Sequence, residues 1–242
     1  MSGKQRGLPV HTSYEKAGFF RIGQDLWRLW ERYSRSPGSW PQKNSGGPPQ
    51  MIVEFSVFDT KDYSIEQLLD TPENEKLIQK FEASNNAYGL EKYLKFQSIR
   101  DEENNNSRTY LVKDILTGEL MGYFSLRTGL ITIQVTGVSF DSYPAIELSN
   151  FAVNKKYKDS HPDSSELGYY MFRKFVLPIV NCLSRYVGVN SLYLYALPEE
   201  RLIKYYKKIG FARLPEAHEK FVQYHVKPKY DEGCIFMYQT LA

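Results

Sequence analysis

Cysteine is nearly absent: Cys182 and Cys234 are the two in 242 residues, far apart and each inside an apolar segment. That scarcity argues against a disulfide-stapled scaffold or a thiolate metal site, and suits buried reduced thiols in a cytosolic protein. Histidine is scarce too, with four in all. His218 and His225 stand in no cysteine or carboxylate arrangement of metal-ligand spacing, and His161 reads as an exposed turn residue before Pro162. No apolar run approaches the roughly 20 residues of a membrane span, and the N-terminal stretch lacks an uninterrupted apolar signal core. No metal and no membrane are therefore expected.

An excess of one charge is also missing from most of the chain. Residues 1–50 carry 8 Lys+Arg against 3 Asp+Glu, while residues 51–242 carry 23 against 25. The overall +3 thus belongs to the first fifty residues, which also hold Trp27, Trp30, Trp40 and five of the 12 prolines. The shift sets 1–50 apart as a basic leader or extension outside the core. "DLWRLWERY" reads as a short amphipathic helix and "SPGSWPQKNSGGPPQ" as a linker. The leader is either a helix that touches a partner or a membrane, or a stretch upstream of a start at Met51. What is plentiful is core material: 42% hydrophobic residues, with 19 Tyr and 14 Phe.

From Met51, "MIVEFSVF" reads as an opening strand, 64–69 and 72–83 as helix with Pro72 early, and 90–99 as a further helix. "RDEENNNSR" (100–108) reads as a loop. Residues 109–114 and 119–128 flank Thr117-Gly118 as a hairpin, and 130–140 reads as strand. In "PAIELSNFAV" (144–153) the apolar positions change parity between Leu148 and Phe151, which suggests a β-bulge near Ser149-Asn150. The alternative is a strand buried on both faces. Residues 163–188 read as helix, opened by an Asp163/Glu166 capping box and kinked at Pro178. Strand 191–197, helix 201–209 ending at Gly210, and strand 234–241 follow. A strand–helix–strand crossover makes 144–153 and 191–197 a parallel pair.

In "RLIKYYKKIGF" (201–211), Leu202, Ile203, Tyr206 and Ile209 share one helical face while Arg201, Lys204, Lys207 and Lys208 take the others. An inward Tyr206 hydroxyl needs a partner, either a structural acceptor or a reacting group.

"KYYKKIGF" after "LYLYAL", with "MGYFSL", "IELSNFAV" and "CIFMYQTL", resembles the GNAT superfamily of acyl-CoA-dependent N-acyltransferases from about Met51 to the C-terminus. The resemblance implies an α/β (α+β) fold: a mixed, mainly antiparallel sheet with a splayed parallel strand pair, flanked by helices. It implies acetyl-CoA as cosubstrate and an amine, on a small molecule or a peptide, as acceptor. Transfer RNA is a minor option, and a homodimer is left open.

Matched residue by residue, "FYxKxGF" makes Tyr206 the acid that protonates the departing thiolate, and Glu147 becomes a candidate base beside an ion-paired alternative. Phe151, Ala152 and Val153 would line the pantetheine arm. Ser165, Leu167, Gly168 and Tyr169 would offer N–H groups to the pyrophosphate, with Lys155, Lys156 and Lys158 near the 3′-phosphate. The loop departs from the family's Gly-rich signature by placing Glu166 among those donors. A catalytically silent GNAT-like module is therefore the competing expectation.

Overall fold

The computed structural model describes residues 55–241, apart from 138, 163, 165 and 226–232. The leader 1–50, Asp163 and Ser165 lie outside the described residues.

Three helices precede or interrupt the first strands. Residues Phe55–Phe58 form a 3-10 turn, so "MIVEFSVF" is not a strand in its described half. The first strand is β1 (Tyr63–Gln67), where the sequence pattern had suggested helix; its alternate residues Tyr63 and Ile65 are buried, the period of a sheet. Helix α1 (Pro72–Gln79) starts at Thr71, whose hydroxyl accepts the Asn74 N–H at 3.2 Å, and Pro72 takes the position that needs no donor. Helix α2 (Tyr88–Phe96) is followed by α3 (Ser98–Glu103), which occupies the front of the stretch expected as loop.

Strands β2 (Arg108–Asp114) and β3 (Leu120–Thr136) form the expected hairpin around Gly118, whose φ is +70°. β3 absorbs most of the separate strand expected at 130–140, and turns at Gly137 into β4 (Ser139–Val153). The bulge is present. Leu126 pairs with Leu148 and Ser125 with Asn150, leaving Ser149 as the extra residue; its hydroxyl donates back to the Ser125 carbonyl at 3.2 Å.

Helix α4 (Lys155–Ser160) was unforeseen; Asn154 caps it. The long helix begins at Leu167, as α5 (Leu167–Met171), passes through a π turn (Phe172–Val176) and continues as α6 (Leu177–Ser184). Pro178 has no N–H for the Lys174 carbonyl, and the π turn that holds Lys174 lies immediately before it. Glu166 therefore occupies the N-cap, with φ +60° and no side-chain cap bond, and not the third helical position that a capping box requires. Strand β5 (Ser191–Ala196), helices α7 (Glu200–Lys208) and α8 (Glu216–His225), and strand β6 (Ile235–Thr240) complete the chain. The sequence pattern had not marked α8.

The sheet runs β1-β2-β3-β4-β5-β6, antiparallel throughout except for β4–β5. One face buries Phe124, Leu126, Ile146, Leu192 and Leu194 against Met171, Phe172, Phe175 and Ile179 of the long helix. The other carries two clusters: Leu111, Tyr123 and Ala152 with Ile78 of α1 and Leu94 of α2, and Ile131, Ala145, Tyr193 and Phe236 with Val222 of α8. Between those clusters the sheet is polar.

Candidate active site

The parallel pair is short. β4 and β5 are joined at Ala145↔Ser191, Ile146↔Leu192 and Glu147↔Tyr193 and no further. Beyond that, β4 stays with β3 through Val153 and β5 with β6 through Ala196. The result is a fork that opens toward the C-terminal ends of both strands, the position where open α/β sheets seat ligands. The bulge at Ser149 lies just past the fork point and bends β4 there.

Helices α5 and α7 meet at this opening. Phe151 and Val153 pack with Tyr169, Tyr205 and Tyr206 around the main core, while Ala152 faces the cluster on the opposite side. Gly168 brings the start of α5 against α7: a Cβ there would lie 3.2 Å from Tyr205 Oη and 3.8 Å from Val153 Cγ2. Val153, Gly168 and Tyr205 are thereby neighbours, although 52 positions separate the first from the last. In the first turn of α5, Tyr170 N–H bonds to the Glu166 carbonyl at 3.0 Å, so the N–H groups of Leu167, Gly168 and Tyr169 precede the helix's own ladder. That donor set fits a pyrophosphate. The Glu166 carboxylate is directed to Lys208 Nζ at 2.6 Å, and Lys208 also lies over the Tyr169 ring, 5.6 Å from its centroid. Lys208 is thus ion-paired although its side chain is more than half exposed.

Tyr206 packs edge-on against Tyr205 and Phe211, with ring centroids 5.4 and 5.8 Å away. Its ring is half-buried and its hydroxyl makes no hydrogen bond to another described residue. Burial pushes its phenol up to about 12, so the group is protonated at neutral pH.

Glu147 is 3% exposed. Its carboxylate accepts from Arg127 Nε and Nη2, both at 2.9 Å, and from Tyr193 Oη at 2.8 Å. Burial, then the Glu147 charge, pushes the Tyr193 phenol well up, and the same two causes act on Tyr195. Arg127 and Tyr193 were not foreseen. A signal existed: Arg127 and Glu147 are each ten residues from Gly137, the hairpin turn that pairs them.

Two lysines of α4 are committed locally: Lys155 bonds Asp159 at 2.8 Å and Lys156 bonds Glu82 at 2.6 Å. His161 stacks on Tyr157 with centroids 4.1 Å apart. Cys182 is half-buried and Cys234 buried. Among the described residues no group of His, Cys, Asp and Glu is placed to hold a metal ion, and no helix is long and apolar enough to cross a membrane.

Solved structures decide what this architecture is. A mutant of KacT superposes with a TM-score of 0.53 at 20% identity, covering 74% of this chain and 95% of KacT. AtaTR bound with AcCoA gives 0.50 at 19%, covering 75% and 94%. AtaT complexed with acetyl-methionyl-tRNAfMet gives 0.50 at 20%, covering 65% and 91%. AtaT and KacT are GNAT-fold toxins. The fold is that of the GNAT acetyltransferases. No family model and no curated protein matches the sequence.

Proposed function

We propose that the chain is an N-acetyltransferase that moves an acetyl group from acetyl-CoA to a primary amine by direct attack. The observation that carries this reading is the three-residue parallel ladder and the fork beyond it, with an unbonded Tyr206 hydroxyl on the helix that leaves the fork. Backbone groups of Phe151, Ala152 and Val153 would pair with the pantetheine arm as an added strand. The N–H groups of Leu167, Gly168 and Tyr169 would hold the pyrophosphate.

The neutral amine attacks the thioester carbonyl, a backbone N–H of β4 stabilises the oxyanion, the C–S bond breaks and the thiolate takes the Tyr206 proton. The proton lost by the amine leaves by way of water, and Tyr206 is reprotonated from solvent.

The Glu166–Lys208 pair supports this reading, since it draws the carboxylate toward a lysine on α7. AtaT, complexed with acetyl-methionyl-tRNAfMet, points to the α-amine of an aminoacyl group as the first acceptor to test. The near-neutral charge of 51–242 makes polyamines and peptide amines the next ones. Calorimetric titration of the full chain with acetyl-CoA should give saturable heat. Thiol release should then depend on one acceptor in a panel of aminoacyl-tRNAs, polyamines and peptides. Absence of both heat and thermal shift would replace this reading with a silent GNAT-like module.

A further inference from the structure

Glu147 sits on the sheet face that carries α8, between two apolar clusters, in the polar strip of that face. Three neighbouring strands contribute to its surroundings: Arg127 from β3, Glu147 from β4, and Tyr193 from β5, with Tyr195 two residues further on. They meet at Glu147↔Tyr193, the last pair of the parallel ladder. The arrangement needs Gly129, because a Cβ there would fall 2.1 Å from Tyr193 Oη. Arg127 holds the carboxylate in a two-bond fork, which fixes its plane as well as its place.

Resting on the acetyltransferase reading, we propose that Glu147 is a positioning residue: with Arg127 and Tyr193 it forms a clasp that sets where β4 and β5 part. It is not the base that takes the amine's proton. To accept that proton its carboxylate would have to give up, in a buried place, the charge that holds Arg127 and Tyr193, and a weakened buried pair is costly. As a clasp it has a clear task. Past the ladder, β4 and β5 each hold more strand residues that could extend or fray the pairing. One residue of slippage moves the fork by about 3.3 Å, whereas a misplacement of about 1 Å can cost a hundredfold in rate.

The test uses the full chain with Tyr193→Phe, Gly129→Ala and Glu147→Gln. It reads acetyl-CoA affinity, the pH–rate profile, and amide hydrogen exchange over 148–153 and 194–196. Tyr193→Phe and Gly129→Ala, which leave the carboxylate itself untouched, should each lower kcat at least about tenfold and alter exchange on both arms of the fork. Glu147→Gln should slow turnover while leaving the acid limb of the pH–rate profile where it was.

The opposite pattern overturns the clasp: Glu147→Gln erases the acid limb, and Tyr193→Phe keeps normal turnover and normal exchange. Should Gly129→Ala fail to fold, Tyr193→Phe carries the decision alone. If the unaltered chain binds no acetyl-CoA, the acetyltransferase reading falls. The exchange comparison still judges the clasp, with unchanged protection in Tyr193→Phe counting against it.

Discussion

Tyr205 Oη lies against the backbone of Gly168, close enough that a Cβ at 168 would come within 3.2 Å of it, and that oxygen is buried without a hydrogen-bond partner. An unpaired buried hydroxyl forfeits its hydration and regains nothing, a cost of about 1–3 kcal/mol. Tyr205→Phe should therefore unfold at a higher temperature than the unaltered chain. Gly168→Ala alone should destabilise, because the new methyl crowds the phenol oxygen. In the Tyr205→Phe background the same alanine should be neutral or stabilising, since it gains up to about 1 kcal/mol of helix propensity. Thermal unfolding of the four proteins closes the cycle, and purely additive effects would show that the two residues do not touch.

Tyr206 is expected to act in turnover and not in cosubstrate binding. Tyr206→Phe keeps the ring packing against Tyr205 and Phe211 and removes only the hydroxyl with its proton. Loss of a general acid costs about 10²–10⁴ in rate, so kcat should fall by that order while calorimetric affinity for acetyl-CoA stays constant. The sign of the pH dependence follows from burial, which disfavours the phenolate and pushes the group up to about 12. Its protonated form thus persists to that pH, and no alkaline loss of rate below about 11 should come from it. Stability linked to this phenol is fully present below its unfolded value of about 10 and is lost as pH rises through the folded value.

Asn154 ties three segments at the end of β4. Its Nδ2 donates to the Leu120 carbonyl at 2.8 Å, and its Oδ1 accepts the Glu82 and Lys156 N–H groups, each at 3.2 Å. At 6% exposure, replacement by alanine leaves those groups short of partners. Asn154→Ala should cost about 2–4 kcal/mol, measured as a fall in the urea midpoint with an unchanged slope. A change under about 0.5 kcal/mol would mean that water replaces the side chain.

How far the chain could be read beforehand follows from where the signal lies. The parity change across Leu148 and Phe151 betrayed the bulge because one face of β4 is apolar on either side of it. The Tyr206 helix was legible because its lysines and apolar residues segregate at period 3.6. β1 was misread as helix because a five-residue strand gives too few repeats to separate period 2 from 3.6. α8 was missed because its burial is set by tertiary contacts of Val222 with Ile131, Tyr193 and Phe236, strands distant in sequence. The Arg127–Glu147–Tyr193 clasp stayed hidden for a similar reason. It needs the register of two strand pairs at once, and a glycine whose use appears only when the phenol is placed.

Glu166 is where the loop departs most from a Gly-rich turn, and its backbone explains what a glycine would do there. Its φ of +60° and ψ of +30° place a side-chain-bearing residue in the left-handed region, at a cost of roughly 1–2 kcal/mol that glycine does not bear. The opposing loss is an exposed ion pair with Lys208, both side chains more than half exposed, worth about 0–1 kcal/mol and weakened by salt. Glu166→Gly should therefore be stabilising by up to about 1 kcal/mol, and more clearly so at high ionic strength. With the carboxylate already drawn to Lys208, acetyl-CoA affinity should rise less than about threefold on Glu166→Gly at moderate salt. Calorimetry can check this alongside thermal unfolding at two salt concentrations. A tenfold or larger gain in affinity would show that the carboxylate crowds the phosphates despite its lysine, and a loss of stability would show that the left-handed turn is not strained.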